Sequence, residues 1–78
     1  MKRAYIHTQK ELGENLRLIR EKQDLKQKDI AKILCLDRST YTYYETGKTW
    51  PNVLYLIKLS EALKIDFSDF ICKYKKVK

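Results

Sequence analysis

The stretch QKDIAKILCLDRSTYTYYETG, residues 27–47, holds two helical patterns with only three residues between them. Apolar or aromatic side chains recur at helical spacing on both sides of that break: Ile30, Ala31 and Leu34 before it, Tyr41 and Tyr44 after it. A break this short makes two helices cross steeply, at about 90–120°. The crossing needs a small residue where the axes approach, and Ala31 supplies it. The stretch therefore predicts helices over residues 27–34 and 38–46, with one face of the later helix free of the core.

The composition of the chain favours the same helical architecture. The chain has 78 residues, which allows one small domain. Only two glycines and one proline interrupt it, and this indicates a mostly helical chain. Its formal net charge is +7, from 17 Lys and Arg against 10 Asp and Glu. This excess suggests a nucleic acid as partner first and an anionic membrane or acidic protein next, while solubility alone is the simpler explanation.

Another helix is predicted before this stretch, over residues 9–23. Thr8 and Glu11 form a capping box at its start. Its buried stripe consists of residues at helical spacing, namely Leu12, Leu16 and Ile19. Asp24 is expected to end the helix, because aspartate tolerates the left-handed conformation better than most residues.

Two more helices are predicted after the stretch. Pro51 and Asn52 start the fourth helix. Its apolar stripe recurs with the helical period, at Val53, Leu56, Leu59, Ala62 and Leu63. The fifth helix is expected over residues 66–74, with Asp66 as its N-cap. It is unusually apolar for an end helix, since it carries Phe67, Phe70 and Ile71.

The sequence offers little for catalysis or for a bound metal. His7 is the only histidine, and Cys35 and Cys72 lie far apart, so a zinc site would lack ligands. No nucleophile, base and acid set accompanies His7, and no glycine-rich phosphate loop is present. We therefore expect no enzyme activity and no cofactor. The chain has no secretory signal and no apolar run near the ~18 residues of a membrane span, so we expect a cytoplasmic protein with no membrane partner.

The five patterns together resemble the Cro/repressor-type helix-turn-helix family, also called XRE-like or lambda-repressor-like. The matching segments follow chain order: LGENLRLIR, LKQKDIAKIL, STYTYYETGKTWP, LIKLSEALKI and DFSDFI. The resemblance implies an all-α, compact five-helix bundle that binds double-stranded DNA. We expect a basic arm over residues 1–8, the DNA-binding domain over 9–72 and a basic tail over 73–78. Family members are usually dimeric transcriptional regulators, and we expect a repressor that acts by promoter occupancy.

The exposed face of the third predicted helix is expected to contact bases. A recognition helix enters the major groove by its N-terminal residues, and arginine pairs with two acceptors of guanine. Arg38 is therefore the best candidate for a base contact, with a phosphate contact or a solvated charge as its alternative. The full set of base-contact candidates is Arg38, Ser39, Thr42 and Tyr43. For Ser39 and Thr42, the alternative to a base contact is that they are ordinary exposed helix residues.

The resemblance also implies contacts with the DNA backbone and one structural ion pair. The phosphate-contact candidates are Gln27, Lys28, Lys48 and Thr49, and Lys26 would extend the same surface. Such contacts set register and affinity rather than sequence preference. Gln27 could instead cap its own helix. Trp50 could lie beside the DNA backbone or cover the protein core, and we favour the second interpretation. Arg20 is placed opposite Glu45, and the alternative is two independent surface charges.

Two positions depart from the family pattern. Cys35 stands where the turn often has glycine, and a left-handed cysteine would cost about 1–2 kcal/mol. Tyr41 stands where an aliphatic residue is common, so either the core is roomier there or the hydroxyl reaches the surface.

The assembly and the main partner are left open by the sequence. Exposed apolar patches usually mark interfaces, so we expect a homodimer through the fifth helix, with Phe67, Phe70 and Ile71, and with the end of the fourth. Alternatively these residues complete the core of the monomer, and the dimer forms only on DNA. The main alternative function is an antitoxin or co-regulator whose main partner is another protein. Coating of nucleic acid by charge alone is a further alternative.

Overall fold

A computed structural model of the protein describes residues 5–72. These residues form five helices: α1 (Gln9–Lys22), α2 (Gln27–Leu34), α3 (Arg38–Thr46), α4 (Val53–Leu63) and α5 (Ser68–Ile71). The expected all-α architecture is present, and α2 and α3 have the predicted bounds. Residues 1–4 of the predicted basic arm and the whole predicted basic tail, residues 73–78, lie outside the described residues.

The core takes apolar side chains from all five helices. Its buried members are Leu12, Leu16, Ile19, Ile30, Ala31, Leu34, Tyr41, Tyr44, Leu56, Leu59 and Phe70. The predicted stripe of α4 is wrong at Val53 and Ala62, which are exposed. Ser60 is buried there instead, and its hydroxyl donates to the carbonyl oxygen of Ile57 at 2.6 Å. That bond is why a polar residue is tolerated inside.

α1 and α3 approach each other closely at a glycine. A β-carbon at Gly13 would overlap the backbone carbonyl oxygens of Tyr44 and Glu45. Only a residue without a side chain lets the two backbones come this near. The position of α3, which presents the candidate site, is therefore set by its packing on α1.

Three helices end in a left-handed residue that is not glycine. Asp24, Cys35 and Lys64 follow α1, α2 and α4 with φ values of 59°, 57° and 58°. The predicted left-handed conformation of Asp24 is thus present. Cys35 also adopts it, so the turn between α2 and α3 carries the conformational cost expected for a cysteine in place of glycine. Gly47, at φ 81°, ends α3 without that cost.

The bounds of α5 differ from the prediction. Asp66 is not its N-cap, because Phe67 occupies that position. The helix ends at Ile71 because Cys72 is extended and forms an antiparallel bridge with Tyr5. Strand-like pairing with the N-terminal segment has replaced the helical continuation that the sequence suggested.

Phe70 of α5 is part of the core of the monomer, and Phe67, just before the helix, packs against that core. Phe70 is 1% exposed, and Phe67 packs against the buried cluster. The side-chain amide of Asn15, on α1, donates to the carbonyl oxygens of Phe70 at 2.8 Å and Cys72 at 2.6 Å. These bonds hold residues 70–72 against α1. The expected exposure of Phe70 is therefore wrong, and the aromatic patch on which the expected dimer through α5 was based is not exposed at this residue.

Candidate nucleic-acid interface

α3 divides its side chains between the core and one exposed face. Tyr41 and Tyr44 are buried, at 1% and 8% exposure, as the sequence predicts. Arg38, Ser39 and Tyr43 are exposed on the outer side of the helix. The crossing of α2 and α3 leaves this face uncovered by the rest of the described chain. These three side chains are therefore accessible to a macromolecular partner.

An ion pair fixes α3 to α1. Nε of Arg20 donates to Oε2 of Glu45 at 2.6 Å, and Nη2 donates to Oε1 at 3.2 Å. Nη1 of the same guanidinium donates to the carbonyl oxygen of Leu25 at 2.9 Å, just before α2. The pair expected from the resemblance is present, and Arg20 also holds the entry to α2. Glu45 is buried, so the pair is shielded from solvent.

Gln27 connects the start of α2 to two residues of α3. Its Nε2 donates to Glu45 Oε1 at 3.0 Å, and its Oε1 accepts from the hydroxyl of Thr42 at 3.0 Å. The Thr42 hydroxyl also lies 2.9 Å from the carbonyl oxygen of Arg38. Two residues expected to contact DNA thus bond within the protein. Nε2 of Gln27 has a second N–H, so the same amide can brace α3 and donate outward.

The electrostatics of this network favour a charged Glu45. Burial raises the pKa of Glu45, but hydrogen bonds from Arg20, Tyr41 and Gln27 outweigh it and hold the pKa below its ordinary value. Burial and the hydrogen bond to Glu45 raise the pKa of Tyr41 well above its ordinary value. The tyrosine hydroxyl therefore stays protonated and donates to the carboxylate. This contact gives the polar end of an otherwise buried Tyr41 its partner.

A basic depression opens beside the exposed face of α3. It has a volume of about 440 Å³ and is lined by Arg20, Lys26, Gln27, Lys28 and Arg38. Both α2 and α3 begin at this depression, and the N-terminus of a helix favours an anion. Four cationic side chains and two helix starts therefore converge on a depression that is large enough to admit a phosphate group. Sequence reasoning missed Arg20 in this lining, because it placed that residue in the ion pair alone.

The exit of α3 places a lysine over an exposed aromatic ring. Nζ of Lys48 lies 5.1 Å from the centroid of the Tyr43 ring. The backbone N–H of Lys48 also donates to the carbonyl oxygen of Tyr43 at 2.9 Å. A cation in this position is attracted by the ring and loses little contact with solvent. A candidate phosphate contact and a candidate base contact are thus adjacent, and Thr49 is exposed next to them.

Trp50 does not cover the core, and that interpretation is wrong. Its side chain is 53% exposed. When the Gln9 amide is oriented to satisfy both of its polar atoms, it donates to the Gly47 carbonyl oxygen and accepts from the Trp50 indole N–H, each at 3.2 Å. Trp50 therefore ties the loop after α3 to the start of α1 while its ring remains open to solvent.

Other kinds of site find no support in the part of the chain that the structure describes. Within residues 5–72, no group of three or more His, Cys, Asp and Glu side chains is arranged to hold a metal ion. None of the helices described is both long and apolar enough to cross a membrane. The exposed face of α3 with its basic depression is the site that the geometry defines.

Comparisons with known proteins agree with this geometry. A helix-turn-helix family profile matches residues 16–70, more than half of the chain, and the protein belongs to that family. Its structure is similar to the restriction-modification controller protein C.AhdI from Aeromonas hydrophila, with a TM-score of 0.74 and 28% identity over 81% of this chain and 96% of that one. It is also similar to a transcriptional regulator from Listeria innocua, with a TM-score of 0.71 and 27% identity over 86% of this chain and 62% of that one. No curated protein matches the sequence significantly.

Proposed function

We propose that the protein is a transcriptional regulator that binds double-stranded DNA sequence-specifically through α3 and represses by occupying a promoter site. The observation that carries the proposal is an exposed α3 face held rigid by the Arg20–Glu45 pair beside a basic depression. One of the two similar structures is a restriction-modification controller protein, and the other is a transcriptional regulator. This similarity supports a regulatory role for the protein. A repressor of this kind requires no catalysis, only residence on its site.

In this proposal the exposed residues of α3 contact bases and the surrounding groups contact phosphates. Arg38, at the first position of α3, reaches the base edges, with Ser39 and Tyr43 beside it. Thr42 acts mainly through Gln27, because its hydroxyl is already bonded there. The phosphate contacts come from Gln27, Lys28, Lys48 and Thr49, which surround the same face.

Selection of preferred sites from random duplex DNA at physiological salt tests the proposal. We expect a defined consensus and a large ratio of specific to non-specific affinity. Arg38→Ala should weaken the best site by about 1–3 kcal/mol and relax the preference at one base pair. Arg17→Ala is the matched control, since it removes the same charge from the exposed side of α1. Equal binding of all sequences, or equal effects of the two substitutions, would contradict the proposal.

A further inference from the structure

Tyr41 brings a polar group into a part of the core that its ring fills. The side chain is 1% exposed, and its ring lies edge-on to that of Tyr44, with 6.3 Å between the ring centroids. Its hydroxyl donates to the carboxylate of Glu45. A phenylalanine would fill the same space and keep the ring contacts, so packing alone does not account for the hydroxyl.

The hydroxyl completes a set of donors around Glu45. An ionised carboxylate offers about four lone-pair sites to hydrogen-bond donors. Arg20 supplies two donors, at 2.6 and 3.2 Å, and Gln27 supplies one at 3.0 Å. The Tyr41 hydroxyl is the remaining donor. Among the described residues no buried side-chain nitrogen or oxygen lacks a hydrogen-bond partner, which agrees with a carboxylate whose sites are all filled.

Gln27 carries the effect of this saturation to the surface. Its Oε1 accepts from Thr42 and one N–H of its Nε2 donates to Glu45, so the amide is held in one orientation. The second N–H has no partner within residues 5–72, and the side chain lines the basic depression. An unfilled site on Glu45 would draw that N–H inward, because a buried acceptor without a donor costs free energy. A filled carboxylate leaves it available to an anion.

We propose that Tyr41 is a positioning residue for phosphate binding: its hydroxyl saturates Glu45 and thereby keeps the second N–H of Gln27 directed into the depression. This inference rests on the proposed function, because the anion in that complex is a phosphate of the DNA backbone. Tyr41 is buried, so it acts through Gln27 and does not meet DNA itself. Its hydroxyl therefore raises the affinity for the DNA backbone and carries no preference for sequence.

Binding of the selected duplex and of a scrambled duplex by Tyr41→Phe tests this role, at a temperature where circular dichroism shows the variant to be folded. We expect both affinities to fall about three- to tenfold, the effect of one hydrogen bond. Tyr44→Phe is the matched control, since it removes a hydroxyl from the other buried tyrosine of α3, whose ring lies beside Tyr55. It should leave both affinities unchanged. Unchanged affinities for Tyr41→Phe, or a loss confined to one duplex, would overturn the proposal.

A double-variant cycle separates positioning from a loss of stability. Tyr41→Phe should lower the melting temperature with or without the Gln27 amide, but in Gln27→Ala it should no longer change the affinity for DNA. An equal loss of affinity in both backgrounds would overturn the proposal.

Nuclear magnetic resonance of the Gln27 side-chain amide, without DNA, reports the coupling independently of DNA binding. Tyr41→Phe should shift its two proton signals, and Tyr44→Phe should not. Signals that Tyr41→Phe leaves in place would overturn the inference. Shifted signals in a chain that selects no DNA site would support the positioning by Tyr41 and count against the proposed function alone.

Discussion

Arg20 on α1 holds Glu45 on α3 with two hydrogen bonds, at 2.6 and 3.2 Å, and both side chains are largely shielded from solvent. The pair couples the orientation of the exposed α3 face to α1, the longest helix in the described residues. Because Arg20 also bonds the Leu25 carbonyl oxygen and lines the basic depression, one guanidinium connects the scaffold, the entry to α2 and the candidate phosphate site.

Removal of Arg20 should destabilise the fold. Arg20→Ala leaves the buried carboxylate of Glu45 without its counter-charge, so the free energy of unfolding should fall by about 3 kcal/mol. Urea unfolding followed by circular dichroism measures the change. Arg17→Ala is the control, because Arg17 pairs with Glu21 at the exposed surface and should change stability by less than about 1 kcal/mol. Similar losses in both variants would mean that burial of the Arg20–Glu45 pair has no energetic importance.

The stability should depend on pH through Glu45. Its folded pKa lies below the ordinary value of 4.5, so its charged form stabilises the native state. That contribution is fully present above about pH 4.5 and is lost as the pH falls through the lower folded pKa. The difference in unfolding free energy between the unmodified chain and Glu45→Gln should therefore shrink on acidification. Urea titrations from pH 7 down to about pH 3 measure it, and a constant difference would exclude a titrating Glu45 as the cause.

Lys48→Ala should weaken binding to every duplex to a similar extent. The side chain lies over the Tyr43 ring at the exit of α3, where it meets a phosphate in the proposed complex. Loss of one phosphate contact should reduce the slope of log K against log salt by about one. Fluorescence anisotropy with the selected site and a scrambled duplex, over a range of salt concentrations, provides the measurement. A loss confined to the selected site would instead make Lys48 a determinant of sequence preference.

Gly13→Ala should be severely destabilising. The added methyl group would overlap carbonyl oxygens of α3, and backbone atoms cannot move aside as side chains can. We therefore expect the free energy of unfolding to fall by at least about 2–3 kcal/mol. Glu14→Ala, at the neighbouring exposed position, is the control and should have little effect. Thermal unfolding compares the two. An unchanged melting temperature for Gly13→Ala would mean that α1 and α3 can separate at little cost.

Cys35→Gly should stabilise the protein. Cys35 has φ 57°, and glycine adopts this conformation without the steric cost that a β-carbon brings, so we expect a gain of about 1 kcal/mol. Lys32→Gly, within α2, is the control. It should lower the free energy of unfolding by about 1 kcal/mol, the opposite direction to Cys35→Gly. Chemical unfolding of both variants separates the effect of the turn from a general effect of glycine. A loss of stability for Cys35→Gly would show that the thiol makes a favourable contact.

The sequence predicts most of the fold because its local signals agree with one another. The bounds of α2 and α3, the left-handed residue at Asp24 and the burial of Tyr41 and Tyr44 all follow from periodicity and end signals over short segments. The bounds of α5 were predicted poorly because long-range contacts determine them. The Asn15 amide and the bridge to Tyr5 hold residues 70–72, and no local pattern indicates either contact.

The sequence predicted which face of α3 is exposed, but it did not predict the hydrogen bonds among the residues of the candidate site. Spacing alone shows that Thr42 shares the outer part of α3, yet it does not show that the Thr42 hydroxyl meets the Gln27 amide. The close approach at Gly13 was equally hidden, since one glycine in a helix has several explanations. Apart from the Arg20–Glu45 pair, which the family resemblance implied, the contacts between residues far apart in sequence required the structure.

The two cysteines provide internal reporters of different motions. Cys35 is exposed in the native state, whereas Cys72 is half-buried and has its carbonyl oxygen bonded to Asn15. A thiol reagent should therefore modify Cys35 faster than Cys72, and the modification of Cys72 should accelerate when the bridge to Tyr5 opens. The ratio of the two labelling rates then reports the opening of the Tyr5–Cys72 bridge separately from global unfolding. The unmodified protein can thus report its local opening without an introduced probe.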